Sequence, residues 1–227
     1  MTKARTFGYL LIIAVLAACG DGKSTKDSSE NTATKKDSAQ TPVSSVKTVL
    51  FFGNSLTAGY GLDASEAFPA QIQAKIDSLK LPYKVINAGL SGETTAGGNS
   101  RVDWLLRQKI DIFILELGGN DGLRGIAVPE TARNLQEIVD KVKKKNPEVK
   151  LIMAGMQVPP NMGAKYAGEF RAVYKQIADK NNMALIPFLL EGVGGNPDLN
   201  LPDGIHPTPE GHKIVAENVW SVLKPLL

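Results

Sequence analysis

Cysteine is almost absent from the chain, since Cys19 is the only one in 227 residues. A single cysteine excludes an intramolecular disulfide framework, a redox-active pair of thiols and a metal site built on Cys-x-x-Cys. Histidine is nearly as scarce, because the chain contains only His206 and His212. A reaction that needs an imidazole as general base must therefore use one of these two side chains.

The chain also lacks a strong excess of charge of either sign. Its formal net charge is +3, and loss of the two cations of the N-terminal segment described below leaves +1. The lysines of residues 141–145 fall at the end of a segment with helical spacing, where cations suit the helix dipole. A solvated helix end explains them better than a nucleic-acid or phospholipid patch. We therefore predict no nucleic-acid partner.

No apolar run near the N-terminus is long enough to span a bilayer. Residues 7–18 (FGYLLIIAVLAA) follow two cations, a layout typical of a secretory signal peptide over residues 1–18. The next residue is Cys19, and the segment Leu-Ala-Ala-Cys resembles a bacterial lipobox. The resemblance implies a lipid on Cys19 and a membrane-anchored lipoprotein, exported to the periplasm or cell envelope. The alternative is a small apolar cysteine inside an unlipidated signal.

Polar residues fill the segment from the cysteine to residue 46. Serine, threonine, lysine and aspartate dominate residues 20–46, and no large apolar side chain precedes Val43. Such a segment cannot bury enough apolar surface to offset its ordering entropy, so we predict a flexible linker over residues 19–46. Residues 47–227 then form one domain with a full core. A lipid at Cys19 would hold that domain near a membrane surface.

Strand-like apolar runs alternate with segments of helical spacing along this domain. The predicted strands are residues 48–52, 83–87, 111–117, 150–155 and 183–187. The predicted helices contain residues 68–79, 102–106, 135–142, 170–177 and 208–223, the last beginning at a Thr-Pro pair. Strands that are apolar on both faces and separated by helices indicate an α/β fold, with a parallel sheet covered on both sides.

Glycine-rich polar segments follow three of the predicted strands, at residues 53–55, 88–94 and 118–122. Ligands of open parallel sheets bind beyond the carboxyl ends of the strands, so the three segments point to one crevice. Phosphate binding there is weakly supported. The chain has no Walker loop, and the dinucleotide pattern that starts at Gly59 fails at Ala64.

Nucleophilic catalysis fits this crevice better than phosphate binding. Ser55 follows the first strand, although an ordinary turn serine is the alternative at that position. His206 precedes the last helix, and Asp203 lies three residues earlier in a loop that contains a glycine. That spacing lets the carboxylate turn back onto the imidazole and fix its tautomer. His212 lies inside the helix, and we interpret it as a packed or surface histidine.

Acyl transfer also requires hydrogen-bond donors for an oxyanion. Backbone N–H groups near Gly92 are available, because glycine permits close approach of the backbone. The amide of Asn120, which follows two glycines, is the third donor beside the N–H of Ser55. A bare turn is the alternative for residues 118–120.

Four blocks of the sequence, GNSLTAGYGL, NAGLSGETTAGG, ELGGNDGLRG and DGIHPTPEGH, resemble in this order those of the SGNH (GDSL-type) hydrolases. The resemblance covers residues 48–227 and is closest to the bacterial group of thioesterase I, protease I, lysophospholipase L1 and arylesterases. It implies a flavodoxin-like, three-layer α/β/α fold with a five-stranded parallel sheet. The family usually has aspartate before the nucleophile, whereas this chain has Asn54. We interpret Asn54 as a variant that supports the loop.

The resemblance also implies a role for each candidate residue. Ser55 is the nucleophile, His206 the general base and then acid, and Asp203 its orienting partner. The backbone N–H of Gly92 and the amide of Asn120 join the N–H of Ser55 as oxyanion donors. No cofactor or metal is implied, and we expect a monomer.

A further loop of the chain resembles the family's substrate loop. It contains Val158, Pro159, Pro160 and Asn161, and its apolar side chains offer a surface for an acyl chain. The resemblance implies aryl esters, lysophospholipids or acyl thioesters as substrates, and the export signal favours the first two. The alternatives are a carbohydrate deacetylase and a ligand-binding lipoprotein that has lost turnover.

Overall fold

The computed structural model describes residues 46–227, so the predicted signal peptide, Cys19 and nearly all of the predicted linker lie outside the described residues. A five-stranded parallel sheet forms the centre of the domain, in the order β2-β1-β3-β4-β5. The strands are β1 (Lys47–Gly53), β2 (Tyr83–Gly89), β3 (Ile112–Glu116), β4 (Lys150–Ala154) and β5 (Ala184–Ile186). The five predicted strands and the parallel sheet are thereby confirmed.

Seven α-helices accompany the sheet in the described part of the chain. They are α1 (Ser55–Ala58), α2 (Phe68–Ser78), α3 (Thr95–Leu105), α4 (Gly119–Leu123), α5 (Val128–Lys145), α6 (Ala164–Asn181) and α7 (Pro209–Leu223). The five predicted helices are confirmed, whereas α1 and α4 are additions that directly follow β1 and β3. Among residues 46–227, no helix combines the length and apolarity needed to cross a membrane.

The helices cover both faces of the sheet. Helix α2 packs on α7, while α5 packs between α3 and α6. Because crossovers between parallel strands are right-handed, a helix lies on one face of the sheet when the chain moves to a strand on the left and on the opposite face when it moves to a strand on the right. In the order β2-β1-β3-β4-β5, only the connection from β1 to β2 runs to the left. The side chains of adjacent residues in β1 contact helices on opposite faces of the sheet. Phe51 packs edge-on against Phe68 of α2, whereas Phe52 lies under Arg101 of α3. The three-layer α/β/α fold is therefore confirmed.

His212 joins α7 to α2 as a packed core side chain. Its side chain is buried, its Nδ1 accepts the backbone N–H of Phe68 at 3.1 Å, and its ring stacks on the Phe68 ring at 5.9 Å. Burial, with a smaller effect of His206, lowers the pKa of His212 from 6.5 to about 4. The interpretation of His212 as a packed histidine is confirmed.

We expect the stability of the domain to depend on the protonation of His212. Between pH 6.5 and about 4, the unfolded chain binds this proton and the folded chain does not. The free energy of unfolding should therefore fall as the pH falls through this window, by about 2–3 kcal/mol from this group. His212→Gln retains an acceptor for Phe68 but does not titrate. Urea unfolding at pH 7 and pH 4.5 should show a larger loss in the parent, and equal losses would contradict the assignment.

Candidate active site

Three predicted side chains meet at the carboxyl edge of the sheet. Ser55 is the first residue of α1, two residues past the end of β1, and His206 and Asp203 lie in the loop before α7. The Nε2 atom of His206 is 2.9 Å from the Oγ atom of Ser55, and its Nδ1 atom is 2.7 Å from the Oδ2 atom of Asp203. The imidazole thus bridges a hydroxyl and a carboxylate, as general-base activation of a serine requires.

Asp203 is held as an anion by the turn that it shares with His206. Its Oδ1 atom accepts the backbone N–H groups of Ile205 at 2.9 Å and His206 at 3.0 Å. The bonds from the His206 backbone, the His206 ring and the Ile205 backbone lower the pKa of Asp203 to about 2. An ionised carboxylate only accepts, so the Nδ1 atom of His206 must carry the proton and its Nε2 atom is free to accept from Ser55.

The aromatic ring of Tyr60 lies next to the imidazole of His206. Its ring centroid lies 4.5 Å from that of His206, with the two planes tilted by 37°. The backbone N–H of Tyr60 donates to the carbonyl of Ser55 at 3.0 Å, so the same turn positions both the hydroxyl and the stacking ring. Tyr60 was not predicted from the sequence to be part of the site.

The short helix α1 fixes the position of the Ser55 hydroxyl. The side chain of Asn54 caps the helix by accepting the N–H of Leu56 at 2.9 Å, and the helix ends at Gly59 in the left-handed region with φ 76°. Ser55 is the first helical residue, so its own N–H has no acceptor within the helix. That N–H is therefore free of a helical partner, and its role as an oxyanion donor stays a prediction. By capping α1, the side chain of Asn54 supports the loop that carries Ser55, in agreement with its interpretation from the sequence.

Glu116, at the end of β3, lies beneath this turn and was not identified from the sequence. It is 1% exposed, and its carboxylate accepts from the backbone and side chain of Asn54 and from the hydroxyl of Thr57. Burial raises the pKa of Glu116 to about 7, although the hydrogen bonds from Asn54 and Thr57 oppose the shift. A charged residue at the end of the apolar run DIFILEL is the signal that could have revealed it.

The predicted oxyanion donors come from the next two strand ends. Asn120 lies in α4 rather than in a bare turn, and its Nδ2 atom donates to the carbonyl of Glu93 at 3.0 Å. This bond uses one of two amide hydrogens and ties Asn120 to the segment that contains Gly92. Arg124 donates to the carbonyl of Gly92 at 3.1 Å, which fixes the peptide after Gly92 to α4.

Gly92 has a backbone conformation that suits glycine. Its φ is 80°, in the left-handed region that glycine adopts without steric cost. A Cβ atom there would meet no protein atom within 4 Å, so the packing of the protein leaves this position open. The predicted close approach concerns a bound oxyanion, and it stays a prediction.

A sequence model of the GDSL-like lipase/acylhydrolase family matches residues 51–214. The chain belongs to this family. The match confirms the SGNH (GDSL-type) resemblance and the enzyme class that the four sequence blocks predict, a hydrolase of ester bonds.

Two curated relatives and one solved structure are similar over most of their length. Esterase TesA of Pseudomonas aeruginosa is 40% identical over 188 residues, which are 82% of this chain and 92% of the relative. Thioesterase 1/protease 1/lysophospholipase L1 of Escherichia coli K12 is 38% identical over 181 residues, 79% of this chain and 85% of the relative. The psychrotrophic esterase EstA of a Pseudoalteromonas species, in a structure inhibited by monoethylphosphonate, is 31% identical with a TM-score of 0.75, covering 79% of this chain and 98% of EstA.

Two buried acidic side chains, Asp121 and Glu93, hold the segments that carry the predicted oxyanion donors. Asp121, next to Asn120, is fully buried and accepts the N–H of Thr95 at 2.9 Å as well as the Thr95 hydroxyl. Glu93 pairs through both oxygens with Arg101, which also donates to the carbonyl of Ala88 at 2.9 Å. These contacts tie α4 to α3 and α3 to the end of β2.

The predicted substrate loop packs on α4. A Cβ atom on Gly122 would lie 2.4 Å from the Cγ1 atom of Val158, so the glycine makes room for this side chain. Val158 is half-buried, Pro159 and Asn161 are exposed, and a 3₁₀ turn spans Pro160–Met162. The loop therefore borders the end of the sheet that carries Ser55.

A groove of about 580 Å³ lies at the opposite edge of the sheet. Lys47, Lys109 and Lys150, at or before the starts of strands, contribute to its lining. It is therefore not part of the catalytic crevice. Within residues 46–227, no three side chains of histidine, cysteine, aspartate or glutamate are grouped so as to hold a metal ion.

Proposed function

We propose that the protein hydrolyses carboxylic esters through an acyl-enzyme on Ser55. The observation that carries the proposal is the bridge by His206 between the Ser55 hydroxyl, at 2.9 Å, and the Asp203 carboxylate, at 2.7 Å. The relatives named esterase and thioesterase/lysophospholipase support the same reaction class.

The geometry accounts for each proton transfer in the proposed reaction. The Oγ atom of Ser55 attacks the ester carbon while its proton passes to the Nε2 atom of His206. Asp203 stabilises the resulting imidazolium. The carbonyl oxygen becomes an oxyanion, and the C–O bond then breaks as His206 returns the proton to the leaving alcohol. Water, activated by His206, hydrolyses the acyl-enzyme, releases the acid and restores the Ser55 hydroxyl.

The oxyanion is stabilised by three donors in this proposal. The N–H of Ser55 comes from the start of α1, the N–H of Gly92 from the loop after β2, and the Nδ2 atom of Asn120 from α4. Fixed donors of this kind act most strongly on the charge that develops in the transition state. The hydrogen bonds of Asn120 and Arg124 to the backbone of residues 92–93, at 3.0 and 3.1 Å, support a fixed arrangement of this segment and α4.

An apolar rim supports aryl esters and lysophospholipids as the substrates. Four large side chains on loops and on the short helix α4 at the carboxyl edge are 44–51% exposed, namely Tyr60, Leu90, Leu123 and Ile205. Acyl or aryl groups can bury this surface against the rim, with a gain of about 25 cal/mol per Å² of apolar area. A carbohydrate would gain little from it, which disfavours the deacetylase alternative.

The ligand-binding alternative rests on Asn54, and the structure gives Asn54 another role. Its amide caps α1 and contacts Glu116, so replacement of the usual aspartate removes no group that touches the imidazole. Hydrolysis of p-nitrophenyl esters with acyl chains of two to sixteen carbons tests the proposal. We expect turnover that rises from acetate to medium chains. Folded protein without turnover at any length would favour the binding protein.

We further propose that the protein is exported and anchored by a lipid on Cys19. The lipobox and the polar linker behind it support this proposal. Cys19→Ala is expected to leave the unprocessed precursor or to release the protein from the membrane fraction, because the lipid is attached through the thiol. Labelling with radioactive palmitate, followed by membrane fractionation, measures both effects. Lipid that persists on the variant would contradict the anchor.

A further inference from the structure

The carboxylate of Glu116 accepts three hydrogen bonds from the turn that carries Ser55. The backbone N–H of Asn54 donates to Oε2 at 3.0 Å, and the Nδ2 atom of Asn54 donates to Oε1 at 2.8 Å. The hydroxyl of Thr57 donates to Oε2 at 2.8 Å. The acceptor lies at the end of β3, so Glu116 ties both sides of Ser55 to the neighbouring strand.

The bond to Oε1 also decides which way the Asn54 amide faces. Because Nδ2 is held by Glu116, the Oδ1 atom points to the start of α1. There it accepts the N–H of Leu56 at 2.9 Å and lies 3.4 Å from the Oγ atom of Ser55. In the reversed orientation, an NH₂ group would face the N–H of Leu56, and the cap of α1 would be lost. A donor would also face the Ser55 hydroxyl.

Gly53 makes the approach of this carboxylate possible. A Cβ atom at that position would lie 2.4 Å from the Oε2 atom of Glu116 and 2.1 Å from the Oγ1 atom of Thr57. Contacts this short do not occur, so any side chain at position 53 would displace the carboxylate. The glycine of the GNSL block thus serves the bond between Glu116 and Thr57.

We propose that Glu116, as a carboxylate, is a positioning residue for Ser55. It anchors the turn on both sides of the nucleophile and orients the Asn54 amide that caps α1. It touches neither substrate nor imidazole and acts through Asn54 and Thr57. The proposal rests on the proposed role of Ser55 as the nucleophile.

The chemistry of the three donors explains why a carboxylate is used. An ionised carboxylate, the form that Glu116 takes above its pKa of about 7, only accepts and has enough lone pairs for all three donors. A glutamine offers one accepting oxygen and one donating NH₂ group. If its NH₂ faced the Nδ2 atom of Asn54, two donors would meet and the Asn54 amide would turn over. If it faced the backbone of Asn54 and Thr57, a backbone N–H would lose its acceptor.

Glu116→Gln tests the proposal because it preserves the shape of the side chain. We expect the kcat for p-nitrophenyl esters to fall by about 100-fold with little change in KM, since misplacement of a reacting group costs that much. A double variant that combines Asn54→Asp with Glu116→Gln exchanges the carboxylate and the amide. The NH₂ of the introduced glutamine could then donate to the introduced aspartate, while the glutamine oxygen accepts from the backbone of residue 54 and from Thr57. We expect this exchange to recover most of the lost kcat.

The rate at which a fluorophosphonate labels Ser55 gives a second readout. It separates the positioning role of Glu116 from the proposed role of Ser55 as the nucleophile. It should fall in Glu116→Gln and recover in the double variant. If the parent protein is not labelled at Ser55, the proposed role of Ser55 as the nucleophile is contradicted. Equal kcat and labelling rates in the parent and Glu116→Gln would overturn only the role of Glu116. If the single variant does not fold, the double variant decides, and one that is unfolded or inactive contradicts the proposal.

Discussion

Ser55→Ala is expected to reduce ester hydrolysis to the background rate while the domain stays folded. Loss of the serine from a serine–histidine–aspartate site typically costs about six orders of magnitude in kcat. The fold should persist because, within residues 46–227, the Oγ atom of Ser55 forms hydrogen bonds only with the Nε2 atom of His206 and the Oδ1 atom of Asn54. Neither contact joins two elements of the core. Steady-state kinetics with p-nitrophenyl esters, together with a thermal unfolding curve, measures both effects.

Ser221→Ala is a matched control for this variant. Ser221 is exposed on α7 and donates to the carbonyl of Asn218 in its own helix, far from the strand ends. We expect its kcat to equal that of the parent. Hydrolysis that survives Ser55→Ala above the level of a protein-free blank would show that another group carries the reaction.

Asn120→Ala is expected to lower kcat by about 100- to 1,000-fold with little change in KM. An oxyanion donor acts mainly in the transition state, where the carbonyl oxygen carries charge, and its removal costs about 2.7–4 kcal/mol. Asn120→Asp should be at least as damaging, because a carboxylate replaces the donor with a negative charge. Kinetics on protein whose active sites have been titrated measures turnover per folded molecule.

The bond between Asn120 and the carbonyl of Glu93 gives the competing explanation. If Asn120 only tied α4 to the loop after β2, both variants would lose stability, typically about 1 kcal/mol for one hydrogen bond. The kcat per folded molecule would then stay near that of the parent. An unchanged kcat with a lowered melting temperature would remove Asn120 from the site.

Most of the regular elements of the fold could be predicted because each has a recognisable pattern of apolar residues. The five strands are short apolar runs, and α2, α5, α6 and α7 each contain at least two turns of apolar spacing, whereas α3 shows about one turn at Val102 and Leu105. Helices α1 and α4 have four and five residues, fewer than a periodic pattern needs. They form because Asn54 caps one and Gly118, at φ 108°, permits the start of the other.

The candidate site was only partly predictable, because some of its residues lie in recognisable sequence blocks and others do not. Ser55, His206 and Asp203 lie in recognisable blocks, so the sequence pointed to each of them. Glu116 and Tyr60 act on the site through contacts that depend on strand register and on the course of a turn. Sequence spacing does not reveal that β3 lies beside β1, where Gly53 pairs with Glu116. The charge at the end of the apolar run DIFILEL marks Glu116 as unusual, but its partners become visible only in the folded arrangement.

The mass of the peptide that contains Ser55, after the protein reacts with a fluorophosphonate, tests the central claim most directly. Phosphonylation requires an activated nucleophile, and within residues 46–227 the hydroxyl of Ser55 is the only one that hydrogen-bonds to the His206 ring, at 2.9 Å. We predict one adduct per chain, on Ser55, and loss of ester hydrolysis in proportion to the labelled fraction. Complete inhibition with the adduct on another residue, or undiminished hydrolysis by protein fully labelled at Ser55, would contradict the account.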